Sequence, residues 1–184
     1  YQNNYKDFIE YEFLFPPIRG VLQVQYQNLA SVDTDGIEFE SKTMFTDNLS
    51  GSIGISLNDG EDEDGPLNSI SPYNAKIGLS WLSDSGKFRW NTISTLMKSS
   101  WDNPDPVCGR SGQCVPAQTT SGRLSIDSFM SYNVNEKVNL RLGIRNLTDV
   151  KYWDYPTIAG LAEGTADEYL MPGRNMSFSI RYSF

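Results

Sequence analysis

Cys108 and Cys114 are the only cysteines in the chain, and they stand in a segment punctuated by Pro104, Pro106, Gly109 and Gly112. Two thiols at this spacing can close a small disulfide loop, which suits an oxidising cell-surface location. A metal-binding thiolate pair is the alternative, but the other ligands of a zinc site are missing, so the inventory favours the disulfide. The acidic run Asp59, Glu61, Asp62, Glu63 and Asp64 offers the carboxylate oxygens that calcium takes. An EF-hand order needs an acid at Gly60 and a Glu at Ser71, so the run reads as a solvated loop. With no histidine, the chain supplies no Ser-His-Asp triad, histidine zinc site or histidine haem ligand. No catalytic residue and no metal ligand is assigned.

The 15 basic and 23 acidic residues leave a net charge of −8, which argues against a sequence-independent nucleic-acid binder. At 39% hydrophobic and 21% charged, the composition is neither that of a disordered acidic tail nor that of a helical membrane protein. No apolar run approaches the roughly 18 to 20 residues of a membrane-spanning helix. The length of 184 residues predicts one domain, and a start at Tyr1 predicts a processed or partial polypeptide.

The elements that must position these groups are strands. From Asn175 to Phe184 the chain alternates without a break, with Met176, Phe178, Ile180, Tyr182 and Phe184 on one face and polar residues on the other. The same period runs through Val138 to Ile144 and Tyr73 to Trp81. It predicts eight strands: Tyr5 to Phe15, Leu22 to Phe45, Leu49 to Leu57, Tyr73 to Leu82, Lys87 to Ser100, Thr120 to Val134, Lys137 to Arg145 and Asn175 to Phe184. The apolar parity of the second changes between Tyr26 and Ile37, which predicts a bulge near Ala30 to Gly36.

Connections alternate between short turns (Thr46 to Asn48, Ser83 to Gly86, Asn135 to Glu136) and long segments (Asn58 to Pro72, Trp101 to Thr119, Leu147 to Arg174). That asymmetry is the pattern of an outer-membrane barrel with tight periplasmic turns and long extracellular loops. Apolar rows then face lipid, and polar rows with Lys76, Arg141, Arg145 and Arg181 face a wet lumen. A soluble half-buried sheet permits the same alternation.

The run Gly143-Ile144-Arg145-Asn146-Leu147-Thr148-Asp149-Val150-Lys151-Tyr152-Trp153 resembles a signature near the end of TonB-dependent outer-membrane receptors. Pro172-Gly173-Arg174 leading to Phe184 resembles the entry to the family's final strand and its terminal aromatic. Upstream, Tyr26-Gln27-Asn28 and Asp35-Gly36-Ile37-Glu38-Phe39-Glu40 are similar to the family's long strand. Tyr5 to Glu10, Gly65 to Pro72 and Tyr152-Trp153 leading to Ala159 to Ala162 are most similar to the haem and haemoglobin receptor branch.

The resemblance implies an all-β fold, an antiparallel transmembrane β-barrel of which residues 1–184 are about the last eight strands of roughly 22, with a plugged lumen. The plug and the TonB-contacting segment are then absent from this chain. It further implies a Gram-negative outer-membrane location, no enzymatic activity, and TonB-energised uptake of haem or haem-protein iron. No cofactor is expected on this chain alone, haem being the cargo of the intact receptor. The expected partners are the remaining strands and plug, TonB, the barrel assembly machinery that recognises Phe184, the haem or haem-protein cargo and the membrane, with no nucleic acid.

Asn146, Asp149, Tyr152, Gly173 and Arg174 are the motif residues, and Asn146 and Asp149 read as turn formers through short polar side chains. Three Asn-x-Ser/Thr triplets, at Asn48, Asn146 and Asn175, read as chance matches without glycans. Trp101, Tyr152, Trp153 and Tyr155 are candidate extracellular cargo contacts, although aromatic residues also gather at membrane interfaces for reasons of solvation alone. A siderophore receptor and a soluble β-sandwich binding module are the competing readings.

Overall fold

The computed structural model describes residues 1–6, 9–18, 21–28, 31–62, 65–66, 73–98, 106–109, 112–158 and 161–184. Its strands are β1 (Gln2–Tyr5), β2 (Ile9–Ile18), β3 (Val21–Asn28), β4 (Val32–Met44), β5 (Leu49–Asp62), β6 (Gly65–Pro66), β7 (Tyr73–Leu82), β8 (Phe88–Met97), β9 (Val107–Cys108), β10 (Cys114–Val115), β11 (Arg123–Asn133), β12 (Val138–Arg145) and β13 (Asn175–Tyr182). One helical turn, α1 (Tyr155–Ile158), and a 3-10 turn at Asp167–Tyr169 interrupt the connection between β12 and β13.

Eight strands form one continuous antiparallel sheet in the order β1, β4, β5, β7, β8, β11, β12, β13, with β6 beside β5. Sequence neighbours pair from β7 onwards except across the small β9–β10 hairpin. Among the described residues no second large sheet packs on this one, which rules against the sandwich reading.

Register sorts the side chains into two faces, because directly opposed residues share a face. Lys76 faces Thr95, Arg141 faces Ser131 and Ser179, and Arg181 faces Asn139, so the polar row predicted from alternation lies on one side. The other side carries Ile53 opposite Ile77, Leu142 opposite Phe178 and Leu140 opposite Ile180. Ile77 is 51% exposed and Phe178 64%. A continuous apolar face this exposed is far larger than a soluble monomer presents, and lipid is the solvent it fits.

The level at which that face leaves the lipid is legible on β4 and β5. Ile37 pairs with Leu57, and the next residues on the same face are Asp35 opposite Asp59 and Asp33 opposite Glu61. Apolar pairs give way to acidic pairs at one height on both strands. Tyr73 of β7 pairs with Leu57 at that height. At the other end of the face, Trp81 pairs with Trp90 and its ring lies 5.8 Å from that of Phe88. Tyr132 pairs with Phe88, and Tyr182 stacks edge-on to Phe184 at 5.1 Å. Trp90 Nε1 donates to Ser128 Oγ at 2.9 Å, which satisfies the indole on an apolar surface.

The short turns are self-capped. Thr46 Oγ1 accepts the Leu49 N–H at 3.0 Å, Ser83 Oγ accepts that of Phe88 at 3.0 Å, and Asn135 Oδ1 accepts those of Lys137 and Val138 at 2.9 Å. Gly86 has φ +67°, a conformation open to glycine without a side-chain penalty.

Three expectations are corrected. The first strand does not run from Tyr5 to Phe15: Gln2–Tyr5 joins the main sheet, whereas β2 pairs with β3 in a separate two-stranded sheet. The strand predicted from Leu22 to Phe45 is described as β3 and β4, with Leu29 and Ala30 outside the described residues; β4 pairs in regular register from Val32 onwards, so no bulge lies between Val32 and Gly36. Tyr5 pairs with Val32 and Ile9 with Asn28, four residues on along both chains, so the ladder resumes in unchanged register. The register shift described here lies between Leu14 and Ile18. Apolar parity changes because residues beyond Asp35 stand outside the lipid and need not keep a lipid-facing row. Finally, Asn58 to Asp62 is not loop but the end of β5. A strand of 14 residues outruns the roughly 9 to 11 that cross a bilayer, so its acidic end projects into water.

The most completely buried side chains lie away from the sheet. Ile158 is 0% exposed and Ala166 1%, and with Ala117, Thr120 and Asn146 they are buried among the long connections.

Candidate functional site

At the end opposite the short turns, the described parts of the last two long connections fold into one body. Asn146 closes β12 with φ 49° and is 4% exposed. Its backbone N–H donates to Asp127 Oδ1 at 2.8 Å. Its Nδ2 donates to the carbonyls of Val150 (2.9 Å) and Pro172 (3.3 Å), and its Oδ1 accepts the Val150 N–H at 3.1 Å. Asparagine tolerates this left-handed backbone and offers both a donor and an acceptor, which explains the residue type.

Asp149, with φ 53°, bonds the other motif. Its Oδ1 accepts the Arg174 N–H at 2.8 Å, and its Oδ2 lies 3.7 Å from Arg174 Nη2. A Cβ on Gly173 would stand 3.1 Å from Asp149 Oδ1, so the small residue permits the close approach. The two sequence motifs are therefore the two halves of one clamp that joins the end of β12 to the start of β13.

Arg123, at the head of β11, ties the next part of the connection to the wall. Its guanidinium lies 3.8 Å from the centre of the Tyr152 ring, its Nη1 donates to the Trp153 carbonyl at 3.0 Å, and its Nη2 lies 3.6 Å from Asp154 Oδ1. Stacking on the ring while bonding a carbonyl and facing a carboxylate suits the planar, multi-donor guanidinium better than a lysine ammonium. Trp153 Nε1 donates to the Ala166 carbonyl at 2.7 Å.

The two long connections also dock on each other. Ala117 bridges Ala162, Gln118 N–H donates to the Leu161 carbonyl at 2.7 Å, and Glu163 N–H donates to that of Pro116 at 2.9 Å. Gln118 Oε1 accepts the Gly164 N–H at 2.9 Å. Cys108 and Cys114 are directly paired across β9 and β10 and joined by a disulfide.

Of the candidate cargo contacts, Tyr152 and Trp153 are brought together and are half-buried, the Tyr152 ring lying against Arg123 of the wall and the Trp153 indole bonding the Ala166 carbonyl within the connection. Tyr155 opens α1. Trp101 lies outside the described residues, as do Glu63 and Asp64 of the acidic run. Asn146, Asp149, Tyr152, Gly173 and Arg174 assemble at one place, whereas Phe184 is fully exposed at the short-turn end, next to Tyr182. Asn146, being buried, has no room for a glycan.

Sequence reasoning missed Arg123 and Asp127. Their signal is the alternation Arg123, Ser125, Asp127 against Leu124, Ile126, Ser128, which puts both on the wet face. Below the loop body that face holds a polar cavity of about 520 Å³ lined by Lys76, Arg123, Asp127, Arg145, Tyr152 and Asp154, among others. Such an arrangement can hold a polar or anionic group.

A family model described as TonB dependent receptor-like, beta-barrel, matches residues 1–147. Haemoglobin-binding protein A of Haemophilus influenzae is 26% identical over an alignment covering 100% of this chain and 22% of that protein. Lactoferrin-binding protein A of Neisseria meningitidis is 25% identical over 64% of this chain and 14% of its own length. The chain thus spans about a fifth of the length of the first of these curated relatives and about a seventh of the second. Among solved structures, the copper transporter OprC superposes with a TM-score of 0.74 at 20% identity, covering 100% of this chain and 28% of that one. A ferric enterobactin receptor mutant from Pseudomonas aeruginosa, in complex with enterobactin, gives 0.72 at 20% identity with the same coverage. At these identities the structural likeness shows the fold.

Proposed function

This chain belongs to the TonB-dependent receptor β-barrel family, outer-membrane proteins of Gram-negative bacteria, and from that premise we propose that it forms the C-terminal wall of a receptor importing haem or haem-protein iron. Import is energised through TonB, which acts on a plug supplied by the rest of the receptor. No covalent chemistry belongs to this reading.

The observation that carries the cargo assignment is the match of the whole chain to a haemoglobin-binding protein. The docked connections support it by presenting a body, tied to the wall by Arg123, of the kind that meets a macromolecule. Since the chain contains no histidine, its part is to shape and hold the cargo, with no imidazole to ligate haem iron. Tyr152 and Trp153 act in this reading through the body they build, and Trp101 and Tyr155 are proposed as further cargo contacts. Phe184 and the final strand serve recognition by the assembly machinery.

The test uses the intact receptor. Haem titrated into the detergent-solubilised protein should give a saturable absorbance change, and cells carrying the receptor should grow on haemoglobin as iron source. Failure of both, with uptake of a ferric chelate retained, would replace this reading by the siderophore one.

A further inference from the structure

Arg123 closes a circuit of contacts that joins the last two long connections to each other and to the wall. It stands at the head of β11, where the first of them, residues 98–122, ends. Its side chain grips the second, stacking on the Tyr152 ring at 3.8 Å, donating to the Trp153 carbonyl at 3.0 Å and facing Asp154 at 3.6 Å. The second connection then returns to the first. Gln118 donates its backbone N–H to the Leu161 carbonyl at 2.7 Å, Glu163 donates to that of Pro116 at 2.9 Å, and the Gly164 N–H meets Gln118 Oε1 at 2.9 Å. Within the second connection, the Met171 N–H bonds the Tyr152 carbonyl at 2.9 Å and the Trp153 indole bonds that of Ala166 at 2.7 Å. Every one of these contacts is made within residues 116–171, so no other part of a receptor is needed to complete the circuit.

Residues 161–164 lie in the chain between Trp153 and the two residues, Ala166 and Met171, that are bonded back to Tyr152 and Trp153. When Tyr152 and Trp153 leave Arg123, they carry residues 161–164 with them and strip the bonds from Pro116 and Gln118. Segments that share their few bonds in this way open as one unit, at a lower cost than the strand ladders beneath them. The closed state also carries a penalty where the grip is made. The Arg123 side chain is 10% exposed, and its Nε–H is buried without an acceptor. Such a donor costs free energy comparable to a lost hydrogen bond, and water relieves that cost once the contact opens. The atoms that bury it belong to this chain, so an acceptor elsewhere in a receptor does not reach it.

We propose that the two connections form a single flap and that Arg123 is its latch. Releasing the guanidinium from Tyr152, Trp153 and Asp154 frees both connections in one step, and the same step uncovers the wet-face cavity, whose wall includes Arg123, Tyr152 and Asp154. The orphaned Nε–H keeps the closed flap poised to open. The device does not depend on haem being the cargo.

The experiment takes the full receptor in lipid nanodiscs and follows hydrogen exchange at single amides by fragmentation mass spectrometry. Gln118 reports on the first connection, Glu163 on the bond between the two, and Met171 on the second. In the parent the three should share one protection factor, lower than that of the β12 ladder. Arg123→Gln should speed all three by a common factor of at least ten, while Leu49 and Phe88 in the short turns stay unchanged. Tyr152→Leu keeps an apolar side chain and removes the ring from the guanidinium. It should speed the three amides by a smaller common factor, and it decides the question if heat-modifiable gel mobility shows that Arg123→Gln does not assemble. Acceleration at Met171 with Gln118 and Glu163 unchanged overturns the proposal, because the connections then open separately. Unchanged exchange at all three overturns it as well, because Arg123 is then no latch. Haem binding, measured separately, reports on the cargo reading and not on this device.

Discussion

Asp149 holds Arg174 twice across 25 residues of chain, accepting its backbone N–H at 2.8 Å with one carboxylate oxygen and facing its guanidinium at 3.7 Å with the other. The two contacts are unequal. The ion pair is half-exposed on both sides, where such pairs contribute at most about 1 kcal/mol, whereas the charge-assisted bond to the backbone fixes the entry of β13.

Replacing each partner in the full receptor separates these terms. Asp149→Ala is expected to lower unfolding stability by roughly 1.5–3 kcal/mol and Arg174→Ala by less than about 1 kcal/mol, read from urea titrations of the reconstituted protein. Equal losses would mean that the exposed ion pair, and not the backbone bond, does the closing.

Asn146 is a stricter position, because its amide is buried and bonded at both ends. Asn146→Asp keeps the size and the acceptor but turns a donor toward Val150 and Pro172 into an oxygen facing two carbonyls. Destabilisation of roughly 2–4 kcal/mol follows from leaving buried groups unsatisfied. Limited proteolysis on intact cells should then cut within residues 147–174 at least tenfold faster than in the parent.

The disulfide closes a ring of a few residues, for which chain entropy gives about 2 kcal/mol. Its removal by Cys108→Ser/Cys114→Ser is expected to act locally. Hydrogen exchange should rise at residues 107–115 and stay unchanged at Gln118, whose bonds go to Leu161 and Gly164. Loss of protection at Gln118 would show that the hairpin braces the docked connections as well.

The change from apolar to acidic pairs on β4 and β5 predicts opposite responses to charge along one face. Ile77→Arg, halfway between Tyr73 and Trp81, should destabilise by about 2–4 kcal/mol in a bilayer. Asp59→Ala should stabilise by roughly 0.2–1 kcal/mol, since it relieves a carboxylate directly opposite Asp35. If Asp59→Ala destabilises, the acidic pairs are held by something other than water.

The fold was legible where one physical demand repeats. Lipid on one side and water on the other impose a period of two, and Met176 to Phe184 or Tyr73 to Trp81 display it without interruption. Beyond Asp35 that demand stops, so the division of the first two long strands into β1 to β4 and the extension of β5 to Asp62 could not be read from alternation. The clamp was visible as two motifs, but not as one object, because the bond from Asp149 to Arg174 depends on a fold-back that no local pattern encodes. Arg123 was hidden for a related reason: its role lies in Tyr152, Trp153 and Asp154, some thirty residues away in the chain.

Tyr73 and Trp81 also act as a ruler. They bracket the apolar stretch of β7, and eight residues at about 3.3 Å make roughly 26 Å along the strand. At a tilt of about 40° this becomes roughly 20 Å of height. A wall of that height matches a thin hydrocarbon layer and is too short for an average one of about 30 Å, and the bacterial outer membrane is thinner than average. Bilayer thickness therefore becomes a selective property: in thicker lipid the wall would have to thin its surroundings or lose the seating of its aromatic rings, so short-chain lipids are the medium in which its stability should be greatest.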